Sequence, residues 1–318
     1  VKASDVETIR TTEWIFEGPG RLGKIHATLS RPAPGELLVQ TQVGAISPGT
    51  ERTLLHGAAQ AVPVASYPHQ PGYLNVVSIV DAGDRTLLGD RGIAVLGHRN
   101  FALIPDTKFI RIPSGIPDEL ALLGVLAADA RHAIDTAEPR QGEECLVVGG
   151  GILGVLTAWE ICVRVHGRVL LVERDPARRE LLAEIRWPGP VTIADRVGRR
   201  HHVSTAFDCA STADAFELAQ RAMKPHGSIL LIADGGHEDY VLLPEFFSKE
   251  LYLGKTGSHP ALRSFLGEYF SRIDDRTTLL DAAFREEVHF GDYPHAYLEC
   301  LLTPPSQSKG LLPRVLYP

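Results

Sequence analysis

Gly149-Gly150-Gly151-Ile152-Leu153-Gly154 is the stretch whose reading decides the architecture of this 318-residue chain. Gly149, Gly151 and Gly154 form a GxGxxG directly after the apolar run Cys145-Leu146-Val147-Val148. A helix-compatible stretch, 155–161, follows. A second apolar run, Arg168-Val169-Leu170-Leu171-Val172, then ends on Glu173. Strand, glycine turn, helix, strand and acid is the layout that a dinucleotide site requires. The first glycine makes the tight turn, the second lets backbone approach a pyrophosphate, and the third lets helix and strand pack closely. The helix N-terminus turns free N–H groups and a positive dipole end toward the phosphates. Gly149, Gly150, Gly151, Ile152, Leu153 and Gly154 are therefore the expected phosphate cradle.

Glu173 lies about 20 residues on, where a carboxylate accepts hydrogen bonds from the adenosine ribose. Its charge repels a 2′-phosphate and favours NAD. The neighbouring Arg174 is able to accommodate that phosphate, so NADP stays open. The later strand ends Ala210-Ser211 and Ala233-Asp234 are expected beside the cofactor, because ligands bind at the carboxyl ends of such sheets.

Composition excludes several other classes. Net charge is −7 and no basic block exists, which argues against nucleic acid as a partner. The four cysteines, Cys145, Cys162, Cys209 and Cys300, form no CxxC pair, so neither a zinc ribbon nor a redox dithiol is indicated. Three of them sit within apolar segments and read as small buried hydrophobes, and a reducing cytoplasm is expected. No run of 18 apolar residues suggests a membrane span, and the first residues lack a signal-peptide apolar core.

The segment ahead of the glycine turn reads as mainly β. Short runs such as Glu36 to Val43, Val76 to Val80 and Gly92 to Leu96 are separated by Gly and Pro clusters, as in a barrel-like domain. Helical spacing begins near Pro117 and runs over 118–136. Strands and helices then alternate to about Ser258, the pattern of a doubly wound parallel sheet. The tail holds helix, strand, helix and a closing strand at 313–317, and is expected to return to the first domain. The domains are accordingly placed at 1–115 with 259–318, and at 116–258. The cleft between them is the natural active site.

Taken in order, Pro34-Gly35-Glu36, Gly89-Asp90-Arg91, the glycine fingerprint, Lys224-Pro225-His226-Gly227-Ser228, Tyr293-Pro294-His295-Ala296-Tyr297 and Lys309-Gly310 resemble the medium-chain dehydrogenase/reductase superfamily. The resemblance implies an α/β chain with a GroES-like β-rich catalytic domain and a Rossmann domain. It also implies Arg178 near the adenosine ribose, Arg314 near the pyrophosphate, and a homodimer paired through the edge strand near 250–254. Many members hold a catalytic zinc through a Cys in a GxCxxD-like turn and the His of a Gly-His-Glu motif. Here the turn reads Ile46-Ser47-Pro48-Gly49-Thr50-Glu51, and the second motif has become Gly72-Tyr73-Leu74. The third ligand position falls near 124–127, which holds no Cys, His or carboxylate, and residues 97–110 lack the cysteines of a structural zinc lobe. Ser, Pro and Tyr are not ordinary zinc ligands, so no metal is expected. Together with Leu126-Ala127-Ala128-Asp129-Ala130-Arg131-His132-Ala133, these motifs are similar to a zinc-free branch that includes the bacteriochlorophyllide dehydrogenases, which oxidise a hydroxyethyl side chain to acetyl.

Without a metal, the alkoxide must be stabilised by hydrogen bonds and general acid–base groups. Tyr73 stands where a zinc-binding His would be and offers a phenol to the reacting oxygen. Thr50 supplies a relay hydroxyl, the former Cys position falls on Ser47 or Pro48, and Glu51 is an acid behind them. Asp129 and His132 are spaced i, i+3 and share a helix face. Each also has a plain structural reading: filler, turn hydroxyl, buried ion pair or surface pair. The resulting expectation is an NAD(P)-dependent, zinc-independent oxidoreductase of a small secondary alcohol or ketone in biosynthesis. Two alternatives stay open, an enoyl or quinone reductase and a non-catalytic NAD(H)-binding protein.

Overall fold

The computed structural model describes residues 8–57, 67–198, 201–233, 238–272, 276–304 and 307–318. The first part contains β1 (Ile9–Gly18), β2 (Arg21–Leu29), β3 (Glu36–Ala45), α1 (Pro48–His56), β4 (Leu74–Ala82), β5 (Arg91–Ile93), β6 (Phe101–Pro105) and β7 (Ile110–Arg111). Then come α2 (Asp118–Ala137), β8 (Glu144–Val148), α3 (Ile152–Val165), β9 (Arg168–Val172), α4 (Pro176–Ala183), β10 (Val191–Ala194), β11 (Val203–Asp208), α5 (Ala213–Ala222), β12 (Met223–Leu231), α6 (Pro244–Ser248) and β13 (Tyr252–Lys255). The tail adds α7 (Leu262–Ser271), α8 (Thr277–Ala283), β14 (Glu287–His289), α9 (His295–Leu302) and β15 (Arg314–Leu316).

The middle third forms a six-stranded sheet in the order β10-β9-β8-β11-β12-β13. Every neighbouring pair in it is parallel. In chain order this is 3-2-1-4-5-6, the arrangement of a dinucleotide-binding sheet, and its direction reverses between β8 and β11. Cys145, Leu146, Val147 and Val148 on β8 are all buried, as a central parallel strand covered on both faces must be.

The other sheet runs β14-β15-β3-β4-β5-β7, with β6 added on β3. β15 pairs antiparallel with β3 through Arg314–Ala45, Val315–Gly44 and Leu316–Val43, so the tail closes onto the first domain's central strand. Breaks in the β3–β4 register at Leu38/Val39 and Thr41/Val43 bend this sheet. Residues 48–51, read from sequence as part of a turn, instead begin the helix α1. Pro48 sits in its first turn, where a missing N–H costs nothing.

α2 joins the two halves. Its small residues Ala121, Ala127, Ala128, Ala130 and Ala133 are fully buried, and it packs against α3, α7, β4 and β12. Gly124 lets α7 come close, because a Cβ there would meet Leu266 Cδ2 at 2.7 Å. α7 packs on α2, and Arg272 just after it reaches Glu160 on α3 at 2.7 and 2.8 Å. The cysteines are free thiols, and burial pushes Cys145 up to about 12 and Cys162 up to about 11. No helix among the described residues is long and apolar enough to cross a membrane.

The Glu160 carboxylate is 1% exposed and rests on Arg272. Arg272→Ala leaves it buried and unpaired, so unfolding free energy should fall by about 3–5 kcal/mol. Replacing both residues with Met should cost less. Urea denaturation of the three proteins checks the order.

Candidate active site

The glycine turn has the geometry each position needs. Gly149 has φ +101°, and a Cβ there would press on Ala210 at 3.0 Å. A Cβ on Gly154 would lie 1.8 Å from the Gly149 carbonyl oxygen, so any side chain forces α3 away from β8. At Gly151 a Cβ meets nothing within 4 Å. The backbone there is open toward a ligand. Gly151 is also the N-cap of α3 and offers no capping side chain, which leaves helix N–H groups for an anion. Ile152 is buried and Leu153 is partly buried against the core, so both anchor the helix start.

Glu173 follows β9 and lies against this turn. Its Oε2 accepts the Gly150 N–H at 2.8 Å, and its Oε1 accepts the Asp175 N–H at 2.8 Å. Each carboxylate oxygen keeps a second lone pair for a ribose hydroxyl. Arg174 is exposed, whereas Arg178 on α4 is half-buried. Burial lowers the Arg178 pKa, and Glu173, Asp175 and Glu286 counter this. Ala210 packs on Gly149, and Ser211 donates its hydroxyl to the Ala233 carbonyl at 2.6 Å. Behind them Asp208, which the sequence reading passed over, accepts the Ala210 and Ser211 N–H groups at 2.9 and 3.1 Å. Asp234 lies outside the described residues. Arg314 on β15 pairs with Glu119 at the start of α2 and with Glu287 on β14.

Five of the six catalytic candidates converge on Tyr73. Tyr73 sits just before β4, and its phenol faces the hydroxyls of Ser47 and Thr50 and the carboxylates of Asp129 and Glu51. Burial drives its pKa well above the ordinary tyrosine value. Hydrogen bonds from Ser47 and then Thr50 pull it partly back, while Asp129 and Glu51 push it up. The phenol therefore stays protonated and is a donor. Asp129 accepts the His259 N–H at 3.2 Å, and His132 meets the Gly257 carbonyl at 3.2 Å. The two do share one face of α2, turned toward the segment after β13. The rings of His132 and His259 lie 5.7 Å apart.

Glu51 is fully buried behind Ser47. Its Oε1 accepts the Ser47 N–H at 2.9 Å, tying the N-cap of α1 to its first turn. Its Oε2 takes the Tyr297 hydroxyl and stands 3.3 Å from His98 Nε2. Neither His98 nor Tyr297 was legible as a site residue. His98 lies in an aperiodic loop, and both meet Glu51 only through long-range folding. Among the described residues no group of three His, Cys, Asp or Glu is placed to hold a metal ion.

No protein-family model matches the chain. It is 30% identical over 243 residues, 70% of its length and 74% of the relative's, to 2-desacetyl-2-hydroxyethyl bacteriochlorophyllide A dehydrogenase of Cereibacter sphaeroides. Its fold is similar to that of L-idonate 5-dehydrogenase from Escherichia coli, with a TM-score of 0.80 at 12% identity over 97% of this chain and 99% of that one. It is also similar to a short chain alcohol dehydrogenase from E. coli CFT073 solved with NADH, with a TM-score of 0.76 at 16% identity over 96% and 99% of the two chains. The whole-length likeness, the 3-2-1-4-5-6 sheet with its glycine turn and the close curated relative agree with the order of motifs in the sequence: the chain belongs to the medium-chain dehydrogenase/reductase superfamily and is an NAD(P)-dependent oxidoreductase.

Proposed function

We propose that this oxidoreductase works without zinc, prefers NAD, and moves hydride between the nicotinamide and a secondary alcohol or ketone. The observation that carries the reading is the partly buried Tyr73 phenol beside the Ser47 and Thr50 hydroxyls, at the position that the family resemblance gives to a zinc-binding His. The relative from C. sphaeroides acts, by its name, on a hydroxyethyl group. We carry over that functional group and not its macrocycle.

The residues present fit the cofactor. Open space at Gly151, the bare N-terminus of α3 and the Glu173 carboxylate form a cradle for a pyrophosphate and a ribose. When bound, NAD(H) supplies or takes the hydride. The protein's part is to hold the carbinol carbon near the ring and to handle the proton on oxygen. In the reduction direction the Tyr73 O–H donates to the carbonyl oxygen and stabilises the charge that develops there. Ser47 and Thr50 keep the phenol aimed and refill its proton. Asp129 holds the segment after β13 through the His259 N–H, which lines up the far wall of the site.

The edge strand β13 leaves Tyr252 64% and Leu253 43% exposed, beside Phe247 at 66%. An uncovered apolar edge invites pairing with a second copy. We propose a homodimer through β13. Light scattering at micromolar concentration should give twice the chain mass, and a monomer contradicts it.

Prolonged chelation should leave turnover intact, and metal analysis should find no stoichiometric zinc; one tightly held zinc per chain overturns the metal-free reading. Tyr73→Phe should lower ketone turnover roughly a hundredfold, the loss of one oxyanion donor worth on the order of 3 kcal/mol. NADH affinity should not change. Acetophenone and 1-phenylethanol serve as probes, with an enone to expose a double-bond reductase. Because the phenol stays protonated, reduction should show no alkaline loss below about pH 10, the ordinary tyrosine value. Glu173→Ala should narrow or reverse the preference for NADH over NADPH, and a wild-type preference for NADPH refutes the NAD assignment.

A further inference from the structure

The buried groups around Glu51 are not used by the proposed chemistry, and they join the two backbone segments that carry it. The first segment is 47–50, which presents Ser47 and Thr50. Glu51 ties it down through the Ser47 N–H at 2.9 Å. The second is 71–73, which presents Tyr73. His98 ties that one down: its backbone N–H donates to the Pro71 carbonyl at 2.8 Å. Its ring lies so close under Gly72 that a Cβ there would meet the imidazole at 2.5 Å. Gly72 has φ +88°, a left-handed conformation that suits glycine. Glu51 Oε2 and His98 Nε2 then stand 3.3 Å apart, and both side chains are 0% exposed.

The rest of the shell fixes these two groups. The Tyr297 hydroxyl donates to Glu51 Oε2, and burial keeps that phenol protonated. The Tyr317 hydroxyl lies 3.2 Å from His98 Nδ1 and 3.5 Å from Asn75 Oδ1. Trp14 packs edge-on against the His98 ring at 5.0 Å. The Nε2 atom makes no hydrogen bond, so the two side chains meet as a buried polar contact held in place by this shell.

We propose that Glu51 and His98 are positioning residues, a buried clamp that sets the Tyr73 phenol against the Ser47 and Thr50 hydroxyls. The clamp does the aligning that a metal shared by the two segments would otherwise do. This rests on the reading of Tyr73 as the donor to the reacting oxygen. Neither clamp residue touches substrate, so each acts through the phenol.

The test is a double-mutant cycle on acetophenone reduction by NADH, with NADH affinity measured by fluorescence. Glu51→Gln and His98→Gln should each lower kcat about ten- to a hundredfold, the usual cost of a small misplacement. The NADH dissociation constant should stay the same. In a Tyr73→Phe background either change should add almost nothing, because its target has gone. Tyr317→Phe deletes one hydroxyl, is the least disruptive variant, and should cost about three- to tenfold. Hydrogen exchange at the Ser47 and His98 amides should quicken in Glu51→Gln, while exchange across β8 stays slow. Wild-type turnover in Glu51→Gln overturns the clamp, as does a loss that multiplies with that of Tyr73→Phe. If Tyr73→Phe alone is silent, the reading beneath the clamp fails instead, so the two failures are distinguishable.

Discussion

The approach of α3 to the end of β8 is the constraint on which the nucleotide half depends. The Gly149 carbonyl and Gly154 are so close that even a methyl group on Gly154 would sit 1.8 Å from that oxygen. Only this approach brings the N–H groups of the α3 N-terminus to the crevice where the sheet changes direction. Glu173 then caps the turn from the neighbouring strand by accepting the Gly150 N–H. One steric fact thus sets the helix start, the bare N–H groups there and the acid that caps the turn.

The catalytic half solves a different problem. In the proposed mechanism two tasks fall to different groups. Charge stabilisation is assigned to the Tyr73 phenol, which desolvation keeps protonated. Alignment is assigned to the Glu51 carboxylate and the His98 imidazole, which have no access to solvent. Such a pair contributes little net stability, because desolvation offsets its attraction. What it supplies is geometry, which is what hydride transfer demands.

The nucleotide fold was legible because its signals are local. A glycine turn between two apolar runs, an acid at the second strand's end and helical spacing in α2 can all be read within about 30 residues. The start of α1 was not legible. Pro48 and Gly49 look like a turn, and only Glu51 reaching back to the Ser47 N–H shows a helix starting there. His98 and Tyr297 were missed for another reason. They lie 47 and 246 positions from Glu51, in a loop and a tail helix, and no periodicity links them. Tyr73 stood out because a motif position had changed, and the fold brings Ser47, Thr50, Glu51 and Asp129 near it, which their spacing along the chain does not show.

The central claim is hydride transfer to a carbonyl without metal help. The most direct measurement uses NADH carrying deuterium at C4, acetophenone, and enzyme stripped by chelation and shown to be zinc-free. The account predicts 1-phenylethanol with deuterium at the carbinol carbon, formed at the rate of untreated enzyme. Transfer that appears only after zinc is restored, or that goes to the carbon of an enone and never to the ketone, would contradict it.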